Sequence, residues 1–223
     1  MTNKSSLKNF LYENRYFLIP YAIFLLTGIY FCFVEPKGAV SLWLNDFNTP
    51  FLDNLFYLAT YLGDGIFFII IILFFLFIRF RYSLYGVISY ASSGIAAQIL
   101  KYIFNTPRPK AYFDKSLLLH YVPGVSVYIS HSFPSGHSAS AFALFLFFAA
   151  ITKKKPLGLI YFGLALFIAF SRVYLLQHFF IDIYFGSLLG VIGTILTFLI
   201  CNRSNKLNKA HWIDSSLIKL FKK

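Results

Sequence analysis

The sequence predicts an all-α membrane protein: a six-span transmembrane helical bundle with both termini cytoplasmic and a short interfacial helix after the first span. Three observations support this prediction. The 223 residues are 58% hydrophobic, with a mean hydropathy of +0.69, which is unusual for a soluble domain. The apolar residues form runs of about 20, the length that a helix needs to cross the hydrocarbon core. The 20 Lys and Arg residues lie mainly between and beyond these runs, as in loops that contact an anionic leaflet.

Each predicted span corresponds to one apolar run. The six spans are residues 16–34, 56–78, 82–104, 137–151, 157–175 and 180–200. Residues 41–62 mix apolar and polar side chains, so we expect part of this segment to lie in the interface, with Trp43 at the headgroup level. Residues 105–134 form the long polar connection, and residues 202–223 form a basic tail. The whole chain, residues 1–223, is thus predicted to be one membrane domain.

The basic residues also predict the orientation. With the amino terminus inside, most Lys and Arg residues fall on the inner side, as the positive-inside rule requires. The exceptions on the outer side are Lys37, Lys101, Arg108, Lys110, Lys115 and Arg172. Spans three and five then end, and spans four and six begin, at the outer face, so four helix ends can meet there. Because the net charge of +12 lies in loops of a membrane protein, it does not indicate nucleic-acid binding.

Three short polar segments lie at these four helix ends. They are Lys101 with Arg108-Pro109, Pro134-Ser135-Gly136-His137, and Ser171-Arg172 followed by His178 and Asp182. Charged groups near membrane depth are costly unless they face a polar cavity or one another. We therefore expect these segments to line one pocket, with residues 101–182 as the core of the site.

The cations and the helix start in these segments suit a tetrahedral oxyanion. Arg108 and Arg172 can each bind two phosphate oxygens, and Lys101 adds a point charge. Ser135 and Gly136 lead into a helix whose first backbone N–H groups are free to bind an anion. The Ser135 hydroxyl can cap that helix or donate to the anion.

The histidines add reactivity to this pocket. His178 and Asp182 are four residues apart and share a face if both are helical, so the carboxylate can orient the imidazole. We expect His178 to attack phosphorus and form a phosphohistidine. We expect His137 to protonate the leaving group and then to activate water. No metal is expected, because three nearby cations repel one and few further ligands are available.

The three segments, in this order and spacing, resemble the signature of the type 2 phosphatidic acid phosphatase superfamily. The motifs cover residues 101–182, and the six-span layout extends the resemblance over nearly the whole chain. The resemblance implies a helical bundle that acts without a metal through a phosphohistidine. It implies catalytic roles for His178, His137 and Asp182, and phosphate binding by Lys101, Arg108, Ser135, Gly136 and Arg172.

The predicted function is that of an integral-membrane lipid phosphatase in the bacterial cytoplasmic (inner) membrane, with its site facing the periplasm. Undecaprenyl diphosphate is the first substrate expected from the resemblance, followed by lipid A, phosphatidylglycerol phosphate and phosphatidic acid. The expected partners are the lipid substrate and the bilayer, with no cofactor, nucleic acid or obligate protein partner. Two alternatives stay open: an anion transporter or channel, and a vanadate-dependent haloperoxidase-like protein. His120 and His131, in the outer loop, belong to no motif.

Overall fold

The computed structural model describes residues 6–221, and every regular element within that range is helical. The helices are α1 (Leu7–Glu13), α2 (Arg15–Phe33), α3 (Ala39–Asp46), α4 (Pro50–Tyr61), α5 (Gly65–Ile78), α6 (Phe80–Phe104), α7 (Pro109–Tyr112), α8 (Gly136–Ile151), α9 (Leu157–Tyr174), α10 (Phe180–Arg203), α11 (Asn205–Lys209) and α12 (Leu217–Phe221), with a 3₁₀ helix at His211–Asp214. The predicted all-α class is therefore confirmed.

The long apolar helices correspond to predicted spans. By length and composition, α2, α9 and α10 can each cross a membrane, and α4 with α5 can form one bent span. The helix α8 is apolar but has only 16 residues. The helix α6 is long, at 25 residues, and carries serine and other polar side chains. The number of six spans and the cytoplasmic position of both termini stay predictions. Three residues counted on the inner side, Lys4, Lys222 and Lys223, lie outside the described residues.

The predicted second span, residues 56–78, is not one continuous helix. The chain breaks after Tyr61, and α4 and α5 are bent by 51° relative to each other. Asp64 begins the new helix, because its carboxylate accepts the backbone N–H of Ile66 at 3.1 Å. Glycines on both sides of Asp64 also disfavour an unbroken helix. Two helices, α3 and α4, therefore occupy the segment of residues 41–62, and the interfacial position of α3 stays a prediction.

The helix α8 lies at the centre of the bundle and packs against α6, α9 and α10. Eleven of its residues are buried, and many of them are alanine or serine, which allow helices in a membrane to approach closely. The helix α10 comes very close to α8 at Gly186, where a Cβ atom would overlap the carbonyl oxygen of Ser135. This close approach places the beginnings of α8 and α10 side by side.

The segment after α10 folds back onto the start of α6. Arg81 donates to Asp214 from Nε at 2.7 Å, and Arg79 pairs with the same carboxylate at 2.9 Å. Ile213 is fully buried beside this cluster. The hydrogen bond from Arg81 lowers the pKa of the Asp214 carboxyl below its ordinary value. The basic tail is therefore packed against the bundle over the part that the structure describes.

Candidate active site

The beginnings of α8 and α10 are joined by backbone. Ser135, the N-cap of α8, donates its backbone N–H to the carbonyl oxygen of Asp182 at 2.9 Å. The Ser135 hydroxyl is fully buried and accepts the backbone N–H of Ser138 at 3.3 Å. The hydroxyl thus caps the helix, as one of the two sequence-based readings expects. Gly136 and His137 follow as the first residues of α8, where backbone N–H groups have no partner within the helix.

His178 lies in the turn before α10 and not on the helix, so His178 and Asp182 do not meet through a shared helix face. The chain leaves α9 through Leu176, which has a left-handed backbone (φ +52), and the backbone N–H of His178 donates to the Arg172 carbonyl at 3.1 Å. Asp182 is the third residue of α10. Its Oδ2 still lies 3.5 Å from Nδ1 of His178, because the turn folds the imidazole back over the helix start.

The Asp182 carboxylate is held from two sides. Its Oδ2 accepts the hydroxyl of Ser132 at 2.5 Å and the backbone N–H of Phe179 at 2.8 Å. The Ser132 hydroxyl also lies 3.5 Å from Nδ1 of His178. All three side chains of this group are buried, with His178 and Asp182 only 2% exposed. The carboxylate therefore has a fixed position next to the imidazole.

Arg172 is a buried cation near the end of α9. Its side chain is 7% exposed, and one terminal nitrogen donates to the hydroxyl of Thr60 at 2.6 Å. Its Nε is buried without a hydrogen-bond partner. Within residues 6–221, no carboxylate lies within ion-pair distance of this guanidinium. A buried charge without a counter-ion carries a desolvation penalty, and a bound anion would offset that penalty.

Lys101 and Arg108 reach the same region from the end of α6 and from the connection that follows it. Lys101, in the last turn of α6, donates to the carbonyl oxygen of His131 at 3.0 Å. Arg108 donates to the carbonyl oxygens of Ser130 and Gln177 at 2.9 and 3.1 Å. Burial lowers the pKa of the Arg108 guanidinium below its ordinary value, and the negative charge of Asp182 opposes this shift. Arginine nevertheless remains charged in proteins, so the buried cation favours an anionic ligand.

His137 lies where two cavities meet. One is a small polar cavity of about 240 Å³, which His137 shares with Arg172, Thr60 and Gln177. The other is a larger and mainly apolar cavity of about 610 Å³ between α5, α6 and α8. The side chains of Lys101, Arg108, Arg172 and His178 are all close enough to His137 for their charges to act on it. The same three cations act on His178. The structure thus brings the two imidazoles and the three cations into one region.

Sequence reasoning missed four residues that contact this region: Ser132, Thr60, Gln177 and Tyr128. Ser132 and Thr60 are single hydroxyl residues in segments without a motif, and no local signal marks them. Gln177 is adjacent to His178 and binds Arg108 mainly through its backbone carbonyl, for which any residue type suffices. Tyr128 places its ring 5.2 Å from the Arg108 guanidinium, and only the folding of the outer loop brings them together.

An all-helical membrane fold with this grouping of imidazoles, carboxylate and cations defines a membrane-embedded phosphoric ester hydrolase. The chain belongs to the PAP2 superfamily, whose sequence profile matches residues 82–206. This range contains all eight residues to which the sequence analysis assigns a catalytic or phosphate-binding role.

Two solved structures resemble the chain. Aquifex aeolicus LpxE superposes with a TM-score of 0.64 at 25% identity, over 72% of this chain and 93% of LpxE. The first transmembrane PAP2-type phosphatidylglycerolphosphate phosphatase from Bacillus subtilis gives a TM-score of 0.57 at 25% identity, over 82% and 94% of the two chains. No curated protein sequence matches the chain. The comparisons give no support to a transporter, a channel or a haloperoxidase-like protein.

Proposed function

We propose that this enzyme is a lipid phosphatase that removes phosphate from a lipid monoester or diphosphate at the outer face of the bacterial cytoplasmic membrane. The proposed arrangement has six spans and one domain over residues 1–223, with the motif core at residues 101–182. Both termini and the basic tail, residues 202–223, lie in the cytoplasm. The comparisons support membership of a lipid phosphatase family, and the details of topology and substrate are our inference.

The position of His137 between a polar and an apolar cavity carries this proposal. A lipid phosphate has a charged end and a long apolar end, and each fits one of the two cavities. The apolar cavity is lined by small and apolar residues that include Gly94, Ile95 and Ile99, and it reaches Gly136 and His137. A water-soluble phosphate ester has no group that needs such a cavity. The presence of a polar and an apolar cavity on either side of His137 therefore favours a lipid substrate.

In the proposed reaction, Nε2 of His178 attacks phosphorus while Nδ1 faces the Asp182 carboxylate. The bond from phosphorus to the leaving oxygen breaks, and that oxygen takes a proton from the His137 imidazolium. His137, now neutral, removes a proton from water as the water attacks phosphorus. The phosphorus–nitrogen bond then breaks, and inorganic phosphate leaves with His178 restored.

The remaining site residues bind the phosphate in this proposal. Arg172, Arg108 and Lys101 neutralise the charge on its oxygens, and the start of α8 at Ser135 and Gly136 supplies backbone N–H groups. Each of the three cations donates to a neutral carbonyl or hydroxyl oxygen, so no carboxylate neutralises its charge through these hydrogen bonds. No metal takes part, since a metal ion would have to approach three fixed positive charges.

Among lipid substrates, we place undecaprenyl diphosphate first, followed by lipid A, phosphatidylglycerol phosphate and phosphatidic acid. The similarity to a phosphatidylglycerolphosphate phosphatase supports the inclusion of that lipid. The test is phosphate release by the purified enzyme from each lipid in detergent, with p-nitrophenyl phosphate as the soluble reference. We expect one lipid to exceed the soluble ester by a wide margin, with or without excess chelator. Equal or faster turnover of the soluble ester would contradict a lipid substrate.

A further inference from the structure

A second polar cluster lies outside the residues assigned to phosphate chemistry. Asp53, in the first turn of α4, accepts the hydroxyl of Tyr174 through Oδ1 at 2.6 Å. Its Oδ2 lies 2.8 Å from Nε2 of His120. Asn45, at the end of α3, binds the backbone of His120 at both its N–H and its carbonyl, at 2.9 and 2.8 Å. One carboxylate therefore connects α4, the end of α9 and the outer loop.

The connection to α9 leads directly to the buried arginine. Tyr174 is two residues beyond Arg172, and its ring packs against Phe56 of α4 with centroids 4.4 Å apart. The helix α4 also holds Arg172 itself, through the hydroxyl of Thr60. Asp53 and Thr60 are seven residues apart, or about two helical turns, so they lie on the same face of α4. This face therefore fixes the end of α9 at two points.

The connection to the loop leads to the polar cavity. Two residues after His120, Val122 is buried and packs with Tyr174 and Leu175. The chain then continues along the polar cavity, with Gly124, Val125, Ser126 and Tyr128 among the lining residues. The Tyr128 ring also covers Arg108. The anchor at His120 thus determines where this part of the cavity wall lies.

We propose that Asp53 is a positioning residue for the phosphate pocket, acting on Arg172 through Tyr174 and on the cavity wall through His120. Asp53 does not line the polar cavity, so it acts through these two neighbours and not by contact with the substrate. The inference rests on the proposed function, because it assigns the polar cavity to the phosphate group.

The test uses orthovanadate, a tetrahedral oxyanion, as the probe of the pocket in the full-length purified enzyme. We expect Asp53→Ala to raise the inhibition constant for vanadate by about tenfold, because the Tyr174 hydroxyl and the His120 imidazole both lose the carboxylate that holds them. Tyr174→Phe keeps the ring against Phe56 and removes only the hydroxyl, so it should raise the inhibition constant by a smaller factor. His120→Ala should also raise the constant by a smaller factor than Asp53→Ala. Asp46→Asn, at an exposed position of α3, is the matched control and should leave the inhibition constant unchanged.

A double-mutant cycle separates positioning from loss of stability. If Asp53 acts through Tyr174, the double variant Asp53→Ala, Tyr174→Phe should bind vanadate no more weakly than Asp53→Ala alone. Additive losses, or a lower melting temperature with an unchanged vanadate constant, would overturn the proposal. Failure of the proposed function has a different signature, since the unmodified enzyme would then release phosphate from no lipid of the panel faster than from p-nitrophenyl phosphate.

Discussion

Asp182 and Ser132 form a hydrogen bond of 2.5 Å beside the imidazole of His178, although the two residues are 50 positions apart in the chain. The carboxylate oxygen that accepts this bond is also the one that faces Nδ1 of His178. The hydroxyl and the Phe179 backbone N–H together prevent the carboxylate from turning away. The Asp182 carboxylate, which faces the proposed nucleophile His178, is therefore itself held in position by Ser132 and Phe179.

Ser132→Ala should lower kcat by about tenfold, with a smaller effect on KM, because the carboxylate loses one of its two fixed donors. The imidazole then spends less time with Nε2 directed at the phosphate. The measurement is steady-state phosphate release. Ser130→Ala provides the control, since that side chain is exposed and its hydroxyl is hydrogen-bonded to His131. An unchanged kcat in Ser132→Ala would show that the serine has no part in orienting the pair.

His178→Ala should abolish covalent labelling by a lipid substrate with radioactive phosphorus, because the variant lacks the proposed nucleophile. The label on the unmodified enzyme should be lost in acid and kept in base, as expected for a phosphorus–nitrogen bond. His211→Ala, in the tail, serves as the control and should label normally. Phosphate found on a residue other than His178 would refute the assignment.

Arg172→Lys should lower kcat/KM by about 100-fold, even though the charge is kept. A lysine has one charged nitrogen and cannot both donate to Thr60 and bind two phosphate oxygens. Thr60→Val removes only the support of the guanidinium, so we expect a loss of about tenfold there. The measurement is kcat/KM of both variants with one lipid substrate, and the loss should be larger for Arg172→Lys than for Thr60→Val. A lysine variant with full activity would exclude a fork-like contact with phosphate.

Gly186→Ala should reduce both stability and activity, because the added methyl group overlaps the Ser135 carbonyl at the junction of α8 and α10. Overpacking of this kind typically costs about 1–3 kcal/mol. Gly163→Ala, on α9, is a matched control, since a Cβ atom there meets no atom within 4 Å. Melting temperatures and phosphate release should separate the two variants. Equal behaviour would mean that the junction can shift without consequence.

Acid should release the tail from the bundle by protonating Asp214. Because its pKa is lowered in the folded protein, its contribution to stability is present above the unfolded pKa of about 3.9 and is lost as pH falls through the folded pKa. Fluorescence of Trp212 in a Trp43→Phe background reports this release, because the chain has two tryptophans. Arg81→Gln should move the midpoint to higher pH. A midpoint that does not move would contradict the role of Arg81.

The sequence predicts those parts of the molecule that depend on local pattern. The apolar run at residues 157–175 forms α9, Leu157–Tyr174, because a helix satisfies the backbone hydrogen bonds of an apolar segment internally. The bend at Gly63–Gly65 falls inside the predicted span of residues 56–78, because a turn at the end of a span and a break within it have similar sequence patterns. Thr60 and Arg172 meet across 112 positions, and no local pattern encodes such a contact. The grouping of the charged motifs was predictable because the predicted topology puts four helix ends on one side of the membrane.

The bend between α4 and α5 has a consequence for how a lipid arrives. Gly63 and Gly65, on either side of the bend, line the apolar cavity that ends at His137. Under the proposed function, a lipid in the leaflet would reach this cavity by lateral diffusion, with its acyl or prenyl chain kept in the hydrocarbon core. Under the proposed function, the encounter rate depends on the number of substrate molecules per unit of membrane area. Dilution with inert lipid should therefore slow the enzyme even when the bulk substrate concentration is constant.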